Sequence, residues 1–189
     1  VLALCGAAGD QSPHFLLYGA QEAEMRRRRG VSERREIALR VADAVERALA
    51  VTTPAEETPL GHVVRTPALS PRRVSRPEAE WAMAARAEAL QYETGGTWWP
   101  DRLQMVVEHY EHPEAVPPYP VELHGVRIGE AALVTNLFEL YLDYGMRIKA
   151  RSAAPNTIIA QITSGIGWYL PTARGVQGGG RRGGRAGAA

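Results

Sequence analysis

Apolar residues fall along this chain in runs whose spacing predicts helices and strands in alternation. Val1 to Cys5 is a continuous apolar run entering Gly6-Ala7-Ala8-Gly9, the pattern of a buried strand opening into a small-residue loop. From Ala20 to Arg29 no helix breaker occurs, and Gly30 ends the predicted helix. Ser32 is suited to cap the next one, in which Ile37, Val41, Val45 and Leu49 recur every four residues. The expected element is an amphipathic helix of about 17 residues packed on a sheet. Val63 to Thr66 reads as a strand ended by Pro67, with a second extended stretch reaching Val74. Ser75 and Glu78 have the capping-box spacing ahead of an alanine-rich helix to about Gln91, and Pro100 opens another through about Tyr110.

In the second half, four prolines make His112 to Pro120 a loop. Val121 to Leu123 and Val126 to Ile128 flank His124-Gly125, which predicts a tight hairpin there. Ala131 to Thr135 is a third extended piece, Phe138 to Lys149 has helical spacing, and Thr157 to Thr163 is a β-branched strand. Tyr169 then falls at a strand end or in a loop. This order predicts an α/β fold over residues 1–177, a partial mixed sheet with flanking helices. The tail 178–189 contains only Gly, Arg and Ala, cannot bury a core, and is expected to be disordered.

Composition narrows the function classes. Hydrophobic residues make up 45% and charged residues 23%, as in an ordinary globular protein, and no apolar run approaches the roughly 18 residues of a membrane-spanning helix. The net charge of +1 becomes −2 without the three tail arginines, so the folded part gives no reason to expect a nucleic-acid partner. Arg26 to Arg29 point in four directions around a helix and read as a solvated helix end. RNA binding through the tail has only three arginines and no aromatic residue to support it. Cys5, the single cysteine, excludes an internal disulfide and a cysteine-rich zinc knuckle. His109 and His112 could share a helix face, but His112 precedes Pro113 with no third ligand near, so surface or capping roles are expected.

Three short constellations could carry chemistry. Ser12 lies in Gly9-Asp10-Gln11-Ser12-Pro13, a small-residue loop after the first predicted strand; it is a site residue or part of a plain turn. Glu139, in Thr135-Asn136-Leu137-Phe138-Glu139-Leu140, is expected at a helix start, favouring the helix dipole or binding a metal. Tyr169, in Gly167-Trp168-Tyr169-Leu170-Pro171-Thr172, offers a phenol as acid, ligand or core hydrogen-bonder. All three fall at the ends of predicted strands.

Taken in order, Gly9-Asp10-Gln11-Ser12-Pro13, Asn136 to Leu140 with Arg147-Ile148-Lys149, and Tyr169 to Thr172 before Gly178-Gly179-Gly180 resemble the neutral/alkaline non-lysosomal ceramidase family. The bacterial ceramidase-like proteins are the nearer likeness, over the later part of the family's catalytic domain. The resemblance implies an α/β zinc amidase that hydrolyses the amide of an N-acyl sphingoid base such as ceramide, placing the chain in sphingolipid metabolism. It implies Ser12 as the catalytic serine, Glu139 as a zinc ligand, and Tyr169 as a zinc-proximal residue stabilising the oxyanion. Secreted, periplasmic or cell-surface location follows from the same likeness.

Two departures qualify it. The family's two zinc-binding histidines precede the serine loop, and none of His14, His62, His109, His112 and His124 matches them. Where relatives continue from Gly-Gly-Gly into folded chain, this one runs into Arg181-Arg182-Gly183-Gly184-Arg185, which suggests an artificial end. The expectation is a fragment that holds zinc poorly and is inactive alone. The alternative from another class is a non-catalytic binding or assembly module that retains the fold.

Overall fold

The computed structural model describes residues 2–13, 17–55, 58–92 and 98–177. The proposed tail therefore lies outside the described residues. Helix α1 (Gly19–Arg29) ends at Gly30, whose φ of 65° puts it in the left-handed region. The Gly30 and Val31 amides donate back to the Arg27 and Arg26 carbonyls, so the helix terminates in a Schellman motif. Ser32 caps α2 (Glu33–Leu49) by accepting from the Arg35 amide at 3.3 Å. The arginine run at the end of α1 is solvated and ion-paired: Arg27 and Arg28 bind Glu24, and Arg29 binds Glu36.

Strand β1 (Leu60–Arg65) and the two-residue β2 (Ala68–Leu69) precede α3 (Arg76–Tyr92) and α4 (Trp98–Glu111). A 3-10 turn (Pro113–Ala115) and β3 (Tyr119–Pro120) occupy the proline-rich segment. Then follow β4 (Leu123–Ile128), β5 (Ala131–Thr135), β6 (Glu139–Leu140), α5 (Leu142–Arg151), β7 (Asn156–Ala160), β8 (Tyr169–Leu170) and α6 (Ala173–Gln177). The main sheet has the order β1-β4-β5-β7; β1, β4 and β5 pair antiparallel, while β7 joins β5 in parallel. The link from β5 to β7 passes through α5, the kind of crossover a parallel pair requires. This is a mixed sheet with flanking helices, an α/β architecture.

Two apolar clusters hold it together. Val121, Leu137, Phe138, Leu140 and Ile159 form one, with Tyr144 and Ile148 of α5 packed on it. Ala82, Leu103, Val106 and Val107 seal α3 against α4 as the other. Burial of these side chains is the main favourable contribution to the fold. Among the described residues no helix is long and apolar enough to cross a membrane.

Several sequence expectations need correction. Residues 2–5 do not form a buried strand: they are exposed, and their backbone meets the sheet edge through one bond, from the Gln161 amide to the Cys5 carbonyl at 2.9 Å. A run can be apolar enough for a strand and still lack a partner with open backbone groups along its length. His124-Gly125 is not a turn but lies inside β4; the hairpin is Gly129-Glu130, with Gly129 at φ 60°. Glycine first in a two-residue loop suits a turn whose first central residue has positive φ. The expected long helix from Phe138 begins only at Leu142, because Glu139-Leu140 pairs with β8 instead. Glu78, three residues after Ser75, makes an ion pair with Arg72. Finally, α2 does not lie on the sheet. Its principal neighbour is α1, Val41 and Leu49 are exposed, and its buried residue is Glu36, held by Arg29 and Arg40. Helical periodicity defines an apolar stripe without naming what covers it.

Candidate functional site

The segment Asn136 to Tyr141 is where distant parts of the chain meet. Asn136 is buried, takes the Ala160 carbonyl with its amide, and accepts the Phe138 amide on its own Oδ1 at 2.8 Å. This side chain turns the backbone from β5 into β6. On one side of β6, the Glu139 amide donates to the Trp168 carbonyl at 2.8 Å and the Gly167 amide to the Leu137 carbonyl at 2.8 Å. These bonds dock β8 in parallel, with Glu139 registered on Tyr169 and Leu140 on Leu170. Registered residues of a ladder project to the same face, so Glu139 and Tyr169 share one.

From the other direction comes the small-residue loop. The Gly9 amide donates to the Leu140 carbonyl at 2.8 Å. Asp10 Oδ1 accepts the Leu142 amide at 2.7 Å, so a carboxylate 132 positions away in sequence caps the first turn of α5 and favours its positive end. Gly9 is glycine for a steric reason: a Cβ there would sit 2.9 Å from the Glu139 carbonyl carbon and closer still to its oxygen. Buried Gln161 ties the junction together, accepting the Leu140 amide at 3.0 Å and donating to Cys5 Sγ at 3.2 Å.

The loop that carries Ser12, the strand that carries Glu139 and the strand that carries Tyr169 are thus joined through backbone hydrogen bonds. Ser12 is exposed, whereas Glu139 and Tyr169 are half-buried. Glu139 stands on a strand rather than at a helix start, so the helix-dipole role expected for it passes to Asp10. The Gly-Asp pair was legible as a loop; its capping partner was not, because nothing local to Asp10 points to Leu142.

A cavity of about 700 Å³ opens beside this junction, with Tyr169 in its wall. Leu69, Met105, Phe138, Ile166, Trp168 and Leu170 make much of its lining apolar, and Arg72, Arg102 and His109 add polar groups. Such a size is ordinary for a small-molecule site. His109 therefore faces a cavity. His112 stays at the surface, 3.8 Å from Glu114.

A separate polar cluster was missed by the sequence reading. His62 Nε2 lies 2.9 Å from His124 Nδ1, with the two rings nearly parallel (6°) and edge to edge. His124 Nε2 lies 2.9 Å from Glu122 Oε1, and the Ser164 hydroxyl lies 3.4 Å from the same nitrogen. His124 thus presents Nε2 to the carboxylate and Nδ1 to His62 Nε2, with donor and acceptor roles that follow the tautomer. Hydrogen bonds from His124 and Ser164 hold the Glu122 carboxyl below its ordinary value. His62 and His124 are 62 positions apart in sequence, and β1–β4 pairing brings them together beside Glu122.

A metal would find two oxygen donors in Glu139 and Tyr169. Catalytic zinc is generally held by three protein ligands. Among the described residues no group of three His, Cys, Asp or Glu side chains is suited to hold a metal ion. Glu139 and Tyr169 each carry an oxygen and lie in register on one ladder, which is fewer donors than a catalytic zinc requires.

Comparison of the chain with protein-family models, with curated proteins and with solved structures gives no match.

Proposed function

We propose that this chain contributes the serine loop, a carboxylate and a phenol to the site of a zinc-dependent hydrolase of lipid amides. The observation that carries the reading is the hydrogen-bonded junction of the three segments, with Gly9 on Leu140 and Glu139 registered on Tyr169. Three pieces far apart in sequence, each bearing a group of the chemistry expected for amide cleavage, meet at one seam. The apolar cavity beside Tyr169 also supports a substrate with a long hydrocarbon chain.

In this reading Glu139 supplies one carboxylate ligand and Tyr169 a second oxygen from the registered position. Zinc, when bound, supplies Lewis-acid polarisation of a carbonyl and activation of water. Ser12 contributes its hydroxyl to the reacting carbonyl, as nucleophile or as hydrogen-bond donor. The Tyr169 phenol donates a hydrogen bond to the oxygen that becomes anionic as the tetrahedral centre forms. Water supplies the oxygen of the new acid, directly or by hydrolysing an acyl-serine, and a proton passes to the nitrogen as the C–N bond breaks, releasing an amine and a long-chain acid. The partial donor set makes the isolated chain a poor zinc binder and an inactive hydrolase.

The test is hydrolysis of a fluorescent N-acyl sphingosine by the protein that contains this chain together with the remaining zinc ligands. Ser12→Ala and Glu139→Gln are each expected to lower kcat/KM by at least about a hundredfold, and a chelator to abolish turnover. Wild-type rates in both variants would remove the assignment.

A further inference from the structure

The triplet Arg147-Ile148-Lys149 has no part in the chemistry proposed above, and the helix that carries it is basic. In α5, Arg147, Lys149 and Arg151 stand against one acid, Asp143. Arg147 and Arg151 are four residues apart, so they share a face of the helix and repel each other there. Both are exposed, and among the described residues no carboxylate forms an ion pair with either. Basic residues in a last helical turn favour the negative end of the helix dipole. That accounts for the charge, Lys149 included, but not for what the two guanidinium groups enclose.

Arg147 and Arg151 line an open cavity of about 410 Å³ between α5 and strands β5 and β7, together with Ser152 and Thr157. The Ser152 hydroxyl accepts the Ala154 amide at 3.2 Å, and the Thr157 hydroxyl lies 2.6 Å from it. Whichever way the two hydroxyls are bonded, one O–H of the pair is left to donate to a third group. The polar side chains of the lining are thus two cations and a hydroxyl pair with a spare donor; no carboxylate is among them. The remaining lining is apolar and fixed. Val134, Tyr144 and Ile148 pack on the main apolar cluster, and the Tyr144 phenol donates to the Pro171 carbonyl at 3.3 Å, which pins its ring.

We infer that this cavity binds a soluble phosphate monoester, its dianionic phosphoryl group between Arg147 and Arg151 and its organic part on Val134, Tyr144 and Ile148. A guanidinium presents paired N–H donors that match two phosphoryl oxygens, and the three free oxygens of a monoester suffice for two such groups and a hydroxyl. A carboxylate has one charge and two oxygens, enough for one guanidinium. The helix dipole opposes an anion at this end of α5, so binding depends on the guanidinium groups themselves. Ser12, Glu139 and Tyr169 do not line this cavity, so the inference is independent of the hydrolase reading.

The test is calorimetric titration of the full chain at low salt with phenyl phosphate, inorganic phosphate and benzoate. Phenyl phosphate is expected to bind about tenfold more tightly than benzoate, which lacks the second charge, and more tightly than inorganic phosphate, which lacks the ring. Arg147→Gln and Arg151→Gln should each weaken phenyl phosphate about tenfold. Lys149→Gln removes the same charge from the same helix outside the cavity and should change the affinity by less than about twofold. All three side chains are exposed, and a urea midpoint equal to that of wild type verifies the fold of each variant. An equal loss in Lys149→Gln and in the arginine variants would mean diffuse attraction to a basic helix and would overturn the inference. So would a preference for benzoate, no phenyl phosphate binding up to about 10 mM, or binding that survives loss of both arginines. Vesicles of phosphatidylcholine with phosphatidic acid present the same phosphate monoester on a lipid; binding to them without binding of phenyl phosphate would overturn the soluble ligand.

Discussion

Substituting Gly9 by alanine tests the seam on which the candidate site depends. The new methyl would lie 2.9 Å from the Glu139 carbonyl carbon and 3.1 Å from that of Leu140. Those obstacles are backbone atoms of β6, already committed to β8, so they cannot swing aside as a side-chain tip would. Forcing a methyl into such a contact costs about 1–3 kcal/mol. The alternative is for the loop to lift off, losing the Gly9–Leu140 bond and the Asp10 cap on Leu142. At about 0.5–1.5 kcal/mol net for each bond, that route costs a similar amount.

Either route therefore predicts a loss of about 1–3 kcal/mol, read as a lower urea midpoint or as a Tm fall of about 2–4 °C per kcal/mol. Gly6→Ala is the internal control. Nothing lies within 4 Å of a Cβ there, so the same chemical change should stay within about 0.5 kcal/mol of wild type. Amide exchange at Leu142 separates the two routes, since it accelerates only if the Asp10 cap is lost. Equal stabilities for the two variants would refute the claim that the loop is seated on β6.

Two other predictions follow from single side chains. Gln161→Leu leaves the Leu140 amide without its 3.0 Å acceptor in a buried seam and should cost about 1–3 kcal/mol in urea unfolding; a neutral result would mean that the amide finds another partner. The Glu122 carboxyl, held down first by His124 and then by Ser164, contributes stability that is complete above the ordinary carboxylate value and is lost as pH falls through its lowered one. Carbon NMR titration should find Glu122 among the more acidic carboxyls, and His124→Ala should return it toward the ordinary range; an ordinary value in the wild type contradicts the network.

Much of the local structure is legible from residue order alone. Ser32 and Gly30 delimit helices because a hydroxyl cap and a left-handed residue act within one turn of the backbone they satisfy. Ala131 to Thr135 forms the extended piece expected of it. The regular structure of 98–111 likewise tolerates Pro100 because it stands in the first turn, where no intrahelical acceptor is needed.

The candidate site was legible only as three separate phrases. Glu139 looks like a helix residue because Leu137, Phe138, Leu140 and Tyr141 are apolar at spacings that suit either a helix or a buried strand. Pairing with Tyr169-Leu170 resolved that ambiguity, and pairing is a property of two segments at once. The same holds for α2, whose stripe predicted a sheet beneath it although α1 became its neighbour.

Sequence alone thus determined where the backbone turns, which stretches are regular, and which side chains can donate, accept or ionise, since these follow from groups a few bonds apart. Tertiary structure decided that Asp10 caps α5, that His62 meets Glu122 through His124, and that Gly9 rests on Glu139. Those outcomes depend on which distant surfaces exclude water together, and hydrophobic burial carries no information about direction along the chain.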